Sequence, residues 1–377
     1  MFGLKNIIWI NMNKTEITLI NGDKATIIDT NKVKALKSEN YNFIFNKEDG
    51  FFCRWGKTEN DDGDLELGIT EIADIELSTV CHGVGKPCSF CYKSNVGHKG
   101  DNMTFDTFKK VYKKLPPSIT QIAAGIGDID GNPDLWRIFE FCKDNDTAIN
   151  VTINGARMTP EYYDNLAKYC GAVSVSIYDK ELSYNALQEL TSRGMKQCNI
   201  HFMISEETID KAYEIMDDMK TDPRLSKMNA IVFLSLKKKG NAKSGFTQLS
   251  QDKFDKLSKY ALDNNISFGF DSCSSHKFLH YVDSTKDLDE KQKNEIRQSI
   301  EPCESSIYSS YISCGSSTSN PKYYPCSFCE GVNDDWKDGI DVLECDNFLN
   351  DIWQHEKTKK FRKKLISCGR DCPIYKI

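Results

Sequence analysis

The residues of this 377-residue chain best suited to chemistry are its fifteen cysteines, and they are unevenly placed. Three fall in one short segment, Cys81-His-Gly-Val-Gly-Lys-Pro-Cys88-Ser-Phe-Cys91. It comes after a largely apolar run, Ile72 to Val80, that reads as a strand. Three thiolates on one loop can bind three irons of a cubane cluster and leave the fourth open to a substrate, whereas a four-cysteine site fills every metal position. The other chemistry open to this loop is a zinc knuckle from Cys88 and Cys91, completed by two ligands from elsewhere. Gly83-Val84-Gly85 can absorb the length of the six-residue gap between Cys81 and Cys88.

Eight of the fifteen cysteines lie between Cys273 and Cys372. Cys303 precedes an apolar-aromatic run, Ile307 to Ile312, and Tyr323-Tyr-Pro-Cys326-Ser-Phe-Cys329 comes after it, which reads as a β-hairpin with a cysteine at each base. The chain then carries Phe348-Leu-Asn-Asp-Ile-Trp353, a basic stretch, and Cys368-Gly-Arg-Asp-Cys372-Pro. Cys326, Cys329, Cys368 and Cys372 would also make a four-cysteine zinc set. Pro-Cys-Ser-Phe-Cys occurs twice, at 87–91 and 325–329.

The elements that must position these cysteines alternate. From Ile72, strand-like runs begin near residues 72, 119, 148, 172, 197, 230 and 266, with amphipathic helical stretches between them. Thr104 reads as a helix N-cap, Pro116-Pro117 as a stop, and Pro133 and Pro160 as early helix positions. Seven strands joined by six helices predict an α/β parallel sheet, open or curled into a barrel. Active sites of such barrels gather at the C-terminal strand ends. Those ends are Cys81 to Cys91, Gly125 to Asp130, Asn154-Gly155, Ser176 to Asp179, His201 to Ser205, Lys237 to Gly240 and Asp271 to Cys273. His201 reads as a core histidine, and Cys142, Cys170 and Cys198 as core thiols.

Residues 1–71 read as a small β-rich segment. Asn21-Gly22 between two apolar runs is a hairpin signal, Asn60 to Asp64 an acidic loop, and Cys53 a buried thiol. The run Ile7 to Ile10 is too short for a signal peptide's apolar core. Fifteen cysteines without an export signal predict a reducing, cytoplasmic setting. The formal charge of −6 argues against general nucleic-acid binding, and no apolar run is long enough to span a membrane.

The cysteine loop and the strand ends beyond it resemble the radical S-adenosylmethionine (radical SAM) superfamily. Its usual spacing has three residues, then two, between the cysteines, so the first gap here is longer. Phe90 stands where that family has an aromatic before the last cysteine. Gly125-Ile-Gly127-Asp128 is similar to its Gly-Gly-Glu type turn, whose backbone meets the SAM amino group. Asn154-Gly155 resembles its Asn-Gly after the third strand, and Ser176 its polar residue after the fourth. The resemblance implies a partial (β/α)6-type barrel over residues 72–272. It also implies a [4Fe–4S] cluster on Cys81, Cys88 and Cys91, with SAM contacts from Phe90, Gly127, Asp128, Asn154 and Ser176.

Residues 273–377 resemble the SPASM or shorter twitch extensions of that superfamily, which hold auxiliary iron–sulfur clusters. One auxiliary [4Fe–4S] cluster is expected, on Cys273, Cys303, Cys326 and Cys372, with Cys314, Cys329, Cys345 and Cys368 in reserve. The implied activity is reductive cleavage of SAM, then hydrogen abstraction from a substrate. A peptide or protein side chain is the expected substrate, and flavodoxin or ferredoxin the expected type of electron donor. A nucleotide or other small-molecule substrate is the alternative, and a zinc-stapled, non-enzymatic binding protein the rival.

Overall fold

A computed structural model describes residues 13–19, 21–58, 61, 65–375 and 377. Ile7–Ile10, Ile20 and most of the Asn60–Asp64 loop lie outside the described residues. The first sheet is an antiparallel meander of five strands: β1 (Asn13–Thr18), β2 (Lys24–Asp29), β3 (Val33–Lys37), β4 (Asn42–Asn46) and β5 (Phe52–Trp55). The Asn-Gly signal falls in the β1–β2 turn, where Gly22 sits at φ +88. The sequence reading missed β3 and β5, whose alternation is broken by lysine and arginine. Cys53 is exposed rather than buried, because β5 turns it to the solvent side, opposite Phe52.

The second sheet has ten strands. Seven of its parallel strands run in chain order across the sheet: β6 (Ile72–Glu76), β7 (Gln121–Gly125), β8 (Ala148–Ile153), β9 (Cys170–Ser176), β10 (Cys198–Ile204), β11 (Ala230–Ser235) and β12 (Phe268–Phe270). The helices between them are α1 (Phe105–Lys114), α2 (Leu135–Asp144), α3 (Pro160–Tyr169), α4 (Lys180–Ser192), α5 (Ile209–Thr221) and α6 (Gln251–Asp263). Local chemistry sets their starts. Thr104, Thr159 and Asp179 each accept from a backbone N–H three residues on, and Pro160 opens α3.

Alternation decides the two faces of this sheet. Ala73, Ile75, Ile122, Val151, Val173, Val175, Ile200, Phe202, Ile231 and Phe233 are buried in the core. The residues between them, Asp74, Glu76, Gln121, Asn150, Thr152, Ser174, Ser176 and His201, put a polar lining on the opposite face. Barrel interiors are usually filled by branched apolar side chains, so this lining suits a ligand-holding cavity instead.

The cysteine-rich end continues the same sheet. β13 (Ser309–Ile312) pairs parallel to β6, then β14 (Lys322–Tyr324) and β15 (Ile340–Asp341) are added antiparallel. After β12 come two helices, α7 (Ser275–Ser284) and α8 (Glu290–Ser299), where the sequence from Asp283 to Arg297 reads as one. The Asp289–Gln292 capping box starts the second. Trp353 is fully buried and donates its indole N–H to Gly68 O at 2.8 Å, fastening this end to the entry of β6. No helix among the described residues is long and apolar enough to cross a membrane.

Candidate active site at the cysteine loop

The Cys81–Cys91 loop leaves the C-terminal end of β6. Gly83 and Gly85 take left-handed φ values of +69 and +73, and a Cβ on Gly83 would stand 2.0 Å from Lys86 O. The extra length is therefore folded into a tight turn that only glycine allows. Cys91 N–H donates to Cys88 O at 3.2 Å, closing the Cys-x-x-Cys turn. The Cys88 thiol donates to Cys91, and backbone N–H groups of Lys93, Ser94 and Asn95 also point at that sulfur; together they bring Cys91 down to about 6. The same pairing, with burial, pushes Cys88 up. Burial and the neighbouring Asp128 carboxylate raise Cys81 to about 11. A sulfur ringed by N–H donors is suited to be a thiolate ligand.

Other strand ends converge on this loop. Asp128 N–H donates to Val80 O at 2.9 Å, and a Cβ on Gly127 would lie 2.6 Å from Cys81 Cβ, so the turn after β7 packs directly beneath the first cysteine. Asn154 Nδ2 donates to Asp128 Oδ1 at 3.2 Å. Phe90 stacks on Tyr178 with ring centroids 5.7 Å apart and meets Phe246 edge-on at 5.7 Å. Ser176 ends β9 and hydrogen-bonds Tyr178. From the loop after β11, Asn241 N–H donates to Cys91 O at 2.9 Å and its Nδ2 to Cys88 O at 3.2 Å. His201 lies on the polar face, its Nδ1 3.2 Å from Thr152 Oγ1, and burial lowers it to about 4.

A second group of cysteines lies beyond β12. Cys326 Sγ is 3.4 Å from Cys329 Sγ, and the turn repeats that of the first loop, with Cys329 N–H to Cys326 O at 3.0 Å. Cys329 donates to Cys326, with backbone and Ser305 donors adding to it, and these bring Cys326 to about 6 despite its burial. Cys273, Cys303 and Cys372 are near enough to feel the same charge. Cys273, Cys303, Cys326 and Cys372 thus share one neighbourhood with Cys329. Cys314 sits apart against Leu77 O, Cys345 against Val342 O, and Cys368 is exposed, its thiol on Leu365 O and Asp371 O.

Lys237, 5% exposed, pairs with Asp271 beside this group, and its ammonium stands 5.0 Å from the Phe328 ring centroid. Asp74, on the polar face of β6, is raised to about 7 by burial, with Cys326 adding to it. Sequence reasoning placed Lys237, Tyr178 and His82 at strand ends without giving them a role, and it missed Asp74, Lys93, Arg157 and Asn241.

Among the described residues, no three or more Cys, His, Asp or Glu side chains converge as one mononuclear metal site. A tetrahedral metal–sulfur bond of about 2.3 Å would bring all four sulfurs within about 3.8 Å of each other. Flanking the cysteine loop is a cleft of about 580 Å³, bounded by Glu76, Lys93, Cys314, Lys322 and Glu330. Its lining includes Tyr92, next to Cys91, and none of the three loop cysteines. Lys93 crosses it to Glu76 at 3.0 Å, to the Tyr311 hydroxyl at 2.9 Å and to Glu330.

No protein-family model matches the sequence, and no curated protein matches it by sequence. Solved structures do match the fold. Streptococcus suis SuiB bound to its precursor peptide SuiA aligns over 90% of both chains, with TM-score 0.64 and 13% identity. SuiB bound to S-adenosylmethionine aligns over 86% of this chain and 87% of its own, with TM-score 0.63 and 14% identity. anSMEcpe with bound AdoMet and the Cp18Cys peptide aligns over 78% and 82%, with TM-score 0.52 and 13% identity. Both proteins are radical SAM enzymes, and the likeness shows that this chain has their fold.

Proposed function

We propose that this chain is a radical SAM enzyme acting on a peptide or protein side chain. One observation carries the reading. Three cysteines share a loop at the C-terminal edge of a parallel sheet, with one sulfur ringed by backbone N–H donors and the neighbouring strand ends packed around the loop. That donor set fits a cluster with three protein ligands and one open iron better than a closed four-ligand site. We assign Cys81, Cys88 and Cys91 to this cluster. When bound there, a [4Fe–4S] cluster supplies the electron that splits SAM into methionine and a 5′-deoxyadenosyl radical, which takes a hydrogen atom from the substrate.

The chain's own residues hold and screen that chemistry. Phe90, stacked on Tyr178, offers an aromatic wall for the SAM adenine. Gly127 packs against Val80 O and Cys81, Asn154 closes its own turn by accepting from the Ala156 N–H, and both, with Ser176 at the end of β9, are assigned to the SAM site. The polar sheet face would line the cavity over which substrate sits, with Asp74, Glu76 and His201 among its titratable groups. The cysteines Cys273, Cys303, Cys326 and Cys372 would hold one auxiliary [4Fe–4S] cluster, with Lys237 as a nearby positive charge.

We also read the seven parallel strands as a partial (β/α)6-type barrel. Strands two apart in a flat sheet lie about 9.5 Å apart, yet Thr152 on β8 and His201 on β10 touch at 3.2 Å. The division into residues 1–71, 72–272 and 273–377 is part of this reading. A peptide substrate is favoured by the SuiB and anSMEcpe complexes, both seen with peptides. β1 offers a strand edge to such a peptide, since among the described residues it pairs on one side only.

The experiment is anaerobic reconstitution followed by dithionite and SAM. The expected product is 5′-deoxyadenosine, formed by wild type and abolished in the Cys88→Ala variant. Equal yields from both would defeat the proposal.

A further inference from the structure

Six residues, not three, separate Cys81 from Cys88, and something must hold the longer segment in place. Its first residue, His82, is fixed from below by Asp128, which is 1% exposed. Asp128 Oδ2 accepts the His82 main-chain N–H at 2.6 Å, lies 2.8 Å from His82 Nδ1, and is ion-paired with Arg157. Oδ1 accepts from Asn154 Nδ2 at 3.2 Å. Arg157 also donates from Nε to Asp130 at 2.9 Å, and it adopts a left-handed φ of +55, strained for a residue with a side chain. The His82 ring rests on Gly97, where an added Cβ would come within 2.2 Å of ring Cδ2 and Nε2. One carboxylate therefore ties together the loops after β6, β7 and β8. Its donors also offset a negative charge that would otherwise face the Cys81 thiolate.

We propose that Asp128 is a positioning residue that, with His82 and Arg157, latches the enlarged Cys81–Cys88 segment and so places Cys81 for iron. Its side chain does not contact SAM; the SAM amino group is left to the backbone of 125–127. This rests on the reading of the cysteine loop as a cluster site.

The test uses the full chain, reconstituted anaerobically, as wild type and as His82→Ala, Gly97→Ala, Asp128→Ala and Asp128→Asn. His82 is largely exposed, and Gly97→Ala removes no functional group, so both perturb the latch without opening the core. The readouts are iron loss to a ferrous chelator, SAM affinity from the change in the reduced cluster's spectrum, and the melting curve. Substitution of groups that orient metal ligands commonly costs 10–100-fold in affinity. His82→Ala, Gly97→Ala and Asp128→Ala should each lose the loop's irons about tenfold faster, with the auxiliary irons unchanged; His82→Ala and Gly97→Ala should leave the melting curve unchanged, whereas Asp128→Ala, which strips a buried carboxylate from Arg157 and Asn154, should also lower it. Asp128→Asn should recover part of the loss, because an amide oxygen still accepts the His82 N–H. The His82→Ala/Asp128→Ala double variant should lose iron no faster than either single one, as two members of one network do. Wild-type iron retention with weakened SAM binding in Asp128→Ala would assign the carboxylate to SAM and overturn the latch alone. A wild type that takes up no iron would overturn both the latch and the cluster reading beneath it.

Discussion

Arg54→Met is the substitution with the largest consequence that can be worked from the structure. Arg54 lies on β5 with its side chain 9% exposed. Its Nη2 pairs with Glu71 at 2.6 Å, its Nε donates to the same carboxylate at 2.9 Å, and its Nη1 pairs with Glu301 at 2.8 Å. The guanidinium also lies 3.4 Å from the Tyr308 ring centroid. Glu71, just before β6, is 1% exposed and, among the described residues, keeps the Tyr41 hydroxyl as its one other side-chain donor. Removing one partner of such a pair leaves a buried, uncompensated charge, at a cost of about 3–5 kcal/mol. At about 2.1 cal/mol/K per residue, a 377-residue chain unfolding as one unit loses about 4–6 °C in melting temperature.

The sign of the pH dependence comes from Glu71. Burial already raises it above the ordinary carboxylate range despite Arg54, and the variant raises it further. The folded state then binds a proton where the unfolded state, near pKa about 4.3, does not. Stability therefore falls as pH rises through that window, and the deficit of Arg54→Met shrinks as pH is lowered from 8 toward 5. Arg54→Met/Glu71→Gln should recover much of the loss at neutral pH, because the most deeply buried of the Arg54 carboxylate partners is then no longer charged. Thermal melts of the three variants across pH 5 to 8 make the measurement. A deficit that is constant with pH, or unrelieved by Glu71→Gln, would refute the reasoning.

Tyr178→Ala removes the ring stacked on Phe90; from the value of an aromatic pair it should weaken SAM binding about 3- to 10-fold with iron content unchanged, read by titration of the reduced enzyme. Proline at Thr15 or at Glu16 blocks the outward N–H of β1 in one of the two variants, and that variant should lose peptide binding while SAM cleavage without peptide persists. In a serine scan of the second cysteine group, Cys273, Cys303, Cys326 and Cys372 should each cost the auxiliary irons, while exposed Cys368 should not, as counted by iron analysis.

The strand–helix alternation from Ile72 to Phe270 was legible because most of the strands alternate buried and lining positions and three of the six helices carry a side-chain cap, at Thr104, Thr159 and Asp179. Boundaries slipped by up to four residues, as where the apolar run to Val80 reads as strand but β6 ends at Glu76. The N-terminal meander was only half legible, since β3 and β5 interleave lysine, cysteine and arginine with their apolar residues. The cysteine loop announced itself by spacing. The groups that hold it did not, because His82, Arg157 and Asn241 are ordinary loop residues until three separate strand ends meet. The same limit applies to Lys237, whose burial comes from its place between β11 and the C-terminal cysteines.

Iron and sulfide counts per chain after anaerobic reconstitution, in wild type and in the Cys81/Cys88/Cys91→Ala variant, test the central claim most directly. Two cubanes predict about eight irons in wild type and about four in the variant. Zinc without iron in both would contradict the account, and four irons in wild type with none in the variant would remove the auxiliary cluster from it.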